Sequence, residues 1–278
     1  MIIDFLFQMS DAKLFSFLIC TGIIAAVIGV IVVKLIVPHE VRLKDNGVIG
    51  SVAALIGLIY SVLMGITSLY LINNLSATSD AVQREANAVA NLYRTSASLP
   101  EPIRSQFEGL LKDYLVLTIK TEWPRMKNNQ EIGEAGDKLI DKLSVVLRAF
   151  PVTNLADSVV MTDLMGEEKS LYSAREERLA ANSEQLSGEL WVVIFIGTVL
   201  AIGINFLFGM NFWLHLISIS AATLMASAMI FLLLTLDRPF QGEFIIDPDP
   251  LQAVLTAVQD NYFEIPLAIA PVTPAKTS

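Results

Sequence analysis

The sequence predicts an all-α membrane protein: four transmembrane helices, with a helical soluble insert between the second and third spans. Three observations carry this expectation. The 278 residues are 54% hydrophobic and only 17% charged, where a soluble domain carries about 25% charged residues; mean hydropathy is +0.58. The charge is uneven, with 13 of the 19 Lys and Arg and 17 of the 28 Asp and Glu lying between Asn73 and Gly188. Outside that stretch stand four apolar runs, each long enough to cross about 30 Å of hydrocarbon, which takes roughly 20 residues. A soluble single-domain protein, a disulfide-stapled secreted module and a disordered chain are all excluded.

After an N-terminal segment (1–13), the first helix pair occupies 14–72. Leu14 to Val37 is broken only by Lys34, near enough to its end for the ammonium to snorkel to the headgroups. It reads as a retained span: the run is too long for a signal peptide, Asp4 and Asp11 outweigh Lys13, and no small-residue cleavage site ends it. The single cysteine, Cys20, lies in this run and is expected to be a buried apolar-facing thiol. Gly47 to Ile72, the second span, carries no charge.

The insert (73–189) reads as helices bound for the cytoplasm. Val82, Ala86, Val89 and Tyr93 continue a helix out of the second span past Asn73-Asn74. Pro100-Glu101-Pro102 starts the next, whose apolar stripe is Ile103, Phe107, Leu110, Leu111, Tyr114 and Leu117. Leu139, Leu143 and Val146 mark a third, ended by Phe150-Pro151. From Asn154 a long polar-rich helix is expected to run straight into the third span. Its Glu167-Glu168 and Glu176-Glu177, with Lys169, Arg175 and Arg178, read as a solvated, salt-bridged face.

The second helix pair fills 190–236, with Leu190 to Met210 and Leu214 to Leu236 joined by Asn211-Phe212-Trp213. Trp191 and Trp213 are 22 residues apart, about 33 Å of helix, which suits two interfacial aromatic belts. His215 reads as an interfacial residue, and Asn205 as an amide that bridges to another helix or touches a permeating ion. In the tail (237–278), prolines and Gly242 forbid a continuous helix through Asp237 to Pro250, and Leu251 to Tyr262 resumes as a short amphipathic one. The rigid turn is expected to fold the tail back onto the insert, with Phe240 and Phe244 as anchors and an acid paired to Arg238.

Four crossings place both termini and the insert on one membrane face. Lys13, Arg84, Lys169, Arg175, Arg178 and Arg238 lie near span ends on that face, against Lys34, Arg42 and Lys44 on the other. The positive-inside rule therefore puts the insert in the cytoplasm.

The chemistry of an enzyme is missing. His39 and His215 stand alone, without a second ligand at metal-binding spacing. There is no phosphate-binding glycine loop or nucleophile elbow, and no cofactor or metal is expected. With a net charge of −9 and no basic helix face, nucleic acid is no partner either. No Asp, Glu, Lys or Arg lies deep in a span, which argues against a proton-coupled carrier or voltage sensor. Glu243, Asp247 and Asp249 lack the glycine and terminal glutamate of the known twelve-residue calcium loop.

The second span is the informative one. Gly50, Ala54, Gly57, Ser61, Gly65 and Ser68 fall within an arc of roughly 80°. A small-residue face serves close helix packing or a narrow, weakly polar conduit. If that face packs on the protomer's own helices, Ile56, Ile59 and Leu63 become the candidates for an apolar constriction at the axis of an oligomer.

Several blocks together are similar to a known family: Glu85-Ala86-Asn87-Ala88-Val89-Ala90-Asn91-Leu92-Tyr93-Arg94, Leu99-Pro100, Tyr114, Glu122-Trp123-Pro124, and Arg238-Pro239-Phe240-Gln241-Gly242-Glu243. They resemble the bacterial bestrophin-like membrane proteins of unknown function. The resemblance implies two span pairs around a helical cytoplasmic domain in the bacterial inner membrane. Through bestrophins proper it implies a pentameric anion channel whose second span lines the pore. Bestrophins carry Pro-Phe-Gly-Glu followed by an acidic calcium clasp and an aromatic pore neck. Here Gln241 splits the motif, the acidic run thins to Asp247 and Asp249, and the second span has no Phe. The expected function is thus an oligomeric ion channel for small anions in a lipid bilayer. The alternative is a non-conducting scaffold or sensor whose helical domain binds a cytosolic partner.

Overall fold

The computed structural model describes residues 10–241 and 246–260, and no strand occurs among them. Four of its helical segments are long and apolar enough to cross a membrane: α1 (Asp11–Ile36), α3 (Asn46–Ser96), α8 (Gly188–Gly203) taken with the turn that follows it to Leu207, and α9 (Phe212–Leu236). Short α2 (His39–Lys44) follows Pro38 and links the first two. A 3₁₀ turn, Ile204–Leu207, prolongs α8.

α3 is a single helix of 51 residues. It passes Asn73-Asn74 because nothing from there to Ser96 breaks a helix, with no Gly or Pro and five alanines in the run. It stops short of Pro100, which disfavours helical backbone in the residue before it. α4 (Ile103–Leu117) starts directly after Pro102, as its sequence predicts. It then widens into a π-helical turn, Thr118–Glu122, closed by Trp123 N–H to Thr118 O. The cause is next in sequence: Pro124, in α5 (Trp123–Lys127), has no N–H for the carbonyl of Lys120. α6 (Ala135–Arg148) ends before Phe150-Pro151 as expected.

α7 (Leu155–Ser183) does not run into the third span. Residues 184–187 break it, and α8 begins anew with Ser187 as N-cap, its Oγ accepting from Leu190 N–H at 3.3 Å. In the tail, α10 (Asp249–Gln259) matches the expected amphipathic segment. Phe244, the second expected tail anchor, lies outside the described residues.

The chain forms two compact units. One comprises residues up to Asp80, Met126–Gln130 and Glu177–Asp247; the other Ala81–Arg125, Glu131–Glu176 and the chain from Pro248. In the first, α1 packs along α9, and α8 also packs on α9. The α1–α9 crossing is close: a Cβ on Gly22 would stand 2.8 Å from Ser227 Oγ. Met64 and Leu71 of α3 join Trp191, Ile194, Ile230 and Leu233 in its apolar core. In the second unit, α4 packs against α6 and against α10, which buries Leu251, Leu255 and Val258.

Candidate functional site

The small-residue face of α3 is largely uncovered within the protomer. Gly57 and Gly65 have no other part of the chain within 4 Å of where a Cβ would stand, and Ala54 and Ser61 are exposed. Only its ends are covered: a Cβ on Gly50 would stand 3.8 Å from the Phe208 ring, and Ser68 is buried. The helix uses a different face to hold itself in the first unit. Tyr60 donates to or accepts from Thr198 Oγ1 at 2.6 Å, and Met64, Thr67 and Leu71 are buried. Of the constriction candidates, Leu63 packs against the protomer's core, Ile56 is half-buried, and Ile59 is 63% exposed. A cavity of about 330 Å³ lies between α1, α8 and α9, but no residue of α3 lines it. A path for water along the small face would therefore need more than one copy of the chain.

Other expectations are corrected. Cys20 is exposed on the protomer. Trp213 is exposed, but Trp191 is buried and donates its Nε1–H to Asp237 Oδ2 at 3.3 Å, so it marks no aromatic belt. Asn205 bridges no helix through its side chain, which donates to Ala201 O one turn back at 2.6 Å. His215 is 1% exposed, with Nε2 at 3.0 Å from Asn205 O; because a carbonyl only accepts, Nε2 carries the proton.

Arg175 and Arg178 are no part of a solvated face, since both are fully buried. Arg175 reaches Glu122 Oε2 with Nη1 at 2.6 Å and Asp137 Oδ1 with Nε at 2.9 Å. Gly136 leaves room for it, as a Cβ there would stand 2.4 Å from the guanidinium carbon. Burial opposes the charge, but the hydrogen bond donated to Glu122 leads the effects that together hold the guanidinium above its ordinary pKa. Nearby in the same unit, Tyr114 Oη donates to Glu85 at 2.5 Å, both fully buried. Arg178 points Nη1 at Met126 Sδ, 3.4 Å away, in the first unit. Glu167 accepts from Asn91, and Glu168 from Ser144. One signal was legible in the sequence: Glu85, Tyr114 and Glu122 all stand in the blocks that carry the family resemblance.

At the α9 C-terminus Asp237 is buried and accepts from Leu186 N–H at 2.6 Å as well as from Trp191. Burial pushes its carboxyl above the ordinary aspartate range, against the pull of those two bonds and of Arg238. Next to it, Arg238 Nη1 donates to Gln241, the residue that splits the motif, at 3.0 Å, and Arg238 also acts electrostatically on the Asp237 carboxylate. Ile246 N–H returns to Pro239 O at 2.9 Å, and Phe240 is buried. Gly242 and Glu243 lie outside the described residues. Among the described residues no three His, Cys, Asp or Glu side chains converge as metal ligands would.

An all-helical chain with four membrane-length apolar helices and a polar helical unit is thus the class. The chain belongs to the Bestrophin-like domain family, whose profile matches residues 20–251. Among solved structures it is similar to a bacterial bestrophin homologue from Klebsiella pneumoniae carrying one leucine-to-threonine substitution. That likeness has a TM-score of 0.65 at 10% identity, over 89% of this chain and 97% of the other. It is also similar to a protein described only as a membrane protein, a proline-to-alanine variant, with a TM-score of 0.63 at 10% identity over 89% and 96%. At that identity the likeness is one of fold. Comparison with curated proteins finds no match.

Proposed function

We propose that the chain is one subunit of a homo-oligomeric ion channel of the bacterial inner membrane. It passes small anions, and the Gly47–Ile72 part of α3 lines a pore between copies. Family membership supports the channel class, and the resemblance to bestrophins supports a pentamer. One observation carries the choice of face: the middle of the Gly50–Ser68 stripe is free of intramolecular packing, while Met64, Thr67 and Leu71 take up the protomer's own contacts. The condition under which Ile56, Ile59 and Leu63 would face the axis instead, a small face packed on the protomer's own helices, is not met at Gly57 or Gly65.

The test is halide flux into liposomes that hold the purified protein. Flux should exceed that of protein-free liposomes, and Gly57→Leu or Ser61→Leu should each cut it about tenfold or more by narrowing the path, with oligomer size unchanged. Silent liposomes around intact oligomers would overturn the channel reading. Unchanged flux in both variants would move the pore off this face.

A further inference from the structure

Where α2 meets the end of the 3₁₀ turn, the first unit encloses positive charge that no acid among the described residues pairs with. Asn46 clamps Gly209 from both sides, its Oδ1 accepting the Gly209 N–H at 2.8 Å and its Nδ2 donating to Gly209 O at 3.0 Å. Gly209 lies so close to α2 that a Cβ on it would stand 2.5 Å from Leu43 N. This seats α2 firmly, and Arg42 with it. Arg42 is 4% exposed, and its Nε and Nη1 are buried without any hydrogen-bond acceptor. Two further groups act on one another and on it electrostatically, Lys34 of α1 and His215 of α9. Lys34 Nζ stands 4.3 Å from the centre of the Phe212 ring. His215, held by Asn205 through Nε2, leaves Nδ1 buried without a partner. Among the described residues neither Lys34 nor Arg42 has an ion-pair partner.

An arginine 4% exposed whose buried Nε and Nη1 meet no acceptor is a costly arrangement, and three helices converge to create this one. We propose that Arg42 and Lys34, beside His215, form a binding site for a phosphate-type oxyanion. Such a group offers several acceptor oxygens to arginine donors, the pairing that arginine makes best. Lys34, half-buried where Arg42 and His215 are closed in, marks the open side. Its place near the end of an apolar helix is also the level at which lipid phosphates lie. The oxyanion comes from a lipid headgroup or from solution. The site is independent of the pore proposal, because no residue of the Gly50–Ser68 stripe belongs to it.

The experiment uses the delipidated full chain in detergent at constant ionic strength, with chloride as the background anion. Thermal unfolding is followed while inorganic phosphate, phosphatidylglycerol or phosphatidylcholine is added. Phosphate or phosphatidylglycerol should raise the midpoint by several degrees in a saturable way, well beyond the effect of phosphatidylcholine. Arg42→Gln should weaken that response at least about tenfold and Lys34→Gln by a smaller factor, whereas Glu40→Gln should leave it unchanged. A response to phosphatidylglycerol alone assigns the headgroup, a response to phosphate alone assigns the dissolved ion, and a response to both fits either source. No saturable response in the wild type, or equal responses in the wild type and Arg42→Gln, overturns the site. Should Arg42→Gln fail to fold, Lys34→Gln decides: an unaltered titration then overturns the site as well.

Discussion

A guanidinium with no exposed surface has to find its acceptors inside the protein, and Arg175 finds two, Glu122 and Asp137, from two other segments of its unit. Removing Glu122 leaves the buried guanidinium with Asp137 alone, a carboxylate 38% exposed, whereas removing Arg175 together with Glu122 leaves no buried charge unpaired. Glu122→Ala is therefore expected to destabilise by about 3–5 kcal/mol, and Arg175→Met combined with Glu122→Leu by clearly less. Denaturant unfolding of the purified protein checks the order, and equal losses would show that the ion pair does not organise the unit. Periodicity could not reveal this site. Arg175 and Arg178 stand beside Glu176, Glu177 and Lys169, which is how an exposed helix face also reads, and Glu122 and Asp137 lie 53 and 38 residues away in the chain. A buried arginine and an exposed one look alike until the partner is in view.

At the scale of elements, helix identity and most ends were legible because proline, alanine and apolar spacing act locally. The starts after Pro102, the stop before Phe150-Pro151 and the passage of α3 through Asn73-Asn74 all follow from residues in place. The α7–α8 break was not legible, since no proline or glycine stands in residues 184–187. What holds it is distant in sequence: Asp237 accepts the Leu186 N–H that a continuous helix would have used within itself. That carboxylate is also the element's pH-sensitive point. Its pKa in the folded protein is raised, so the folded state favours the protonated form. Ionisation therefore subtracts stability once the pH climbs above the ordinary aspartate value, and the loss grows until the raised value is passed. Asp237→Asn should remove this component. Its thermal midpoint, followed from pH 4 upward, should fall less than that of the wild type. Identical profiles would show that Asp237 is not the group responsible.

For the whole molecule, the surroundings of the flanking charges bear on the direction of insertion expected from the sequence. On sequence alone the loop cluster Lys34, Arg42 and Lys44 competes with the span-flanking charges on the insert side, and the bias towards a cytoplasmic insert is modest. Arg42 is nearly inaccessible, and Lys34 shares its enclosure, so if an oxyanion neutralises them the loop has little free positive charge to hold it in the cytoplasm. Orientation follows the excess of Lys and Arg near span ends, so the loop should face outward and the insert inward. Single-cysteine labelling in a Cys20→Ser background measures this. Lys44 and Lys142 are both exposed. In intact spheroplasts a membrane-impermeant maleimide should label Lys44→Cys, and should label Lys142→Cys only after the membrane is opened. The reverse pattern would invert the topology, place the Arg42 cluster among cytoplasmic anions, and turn the polar helical unit outward.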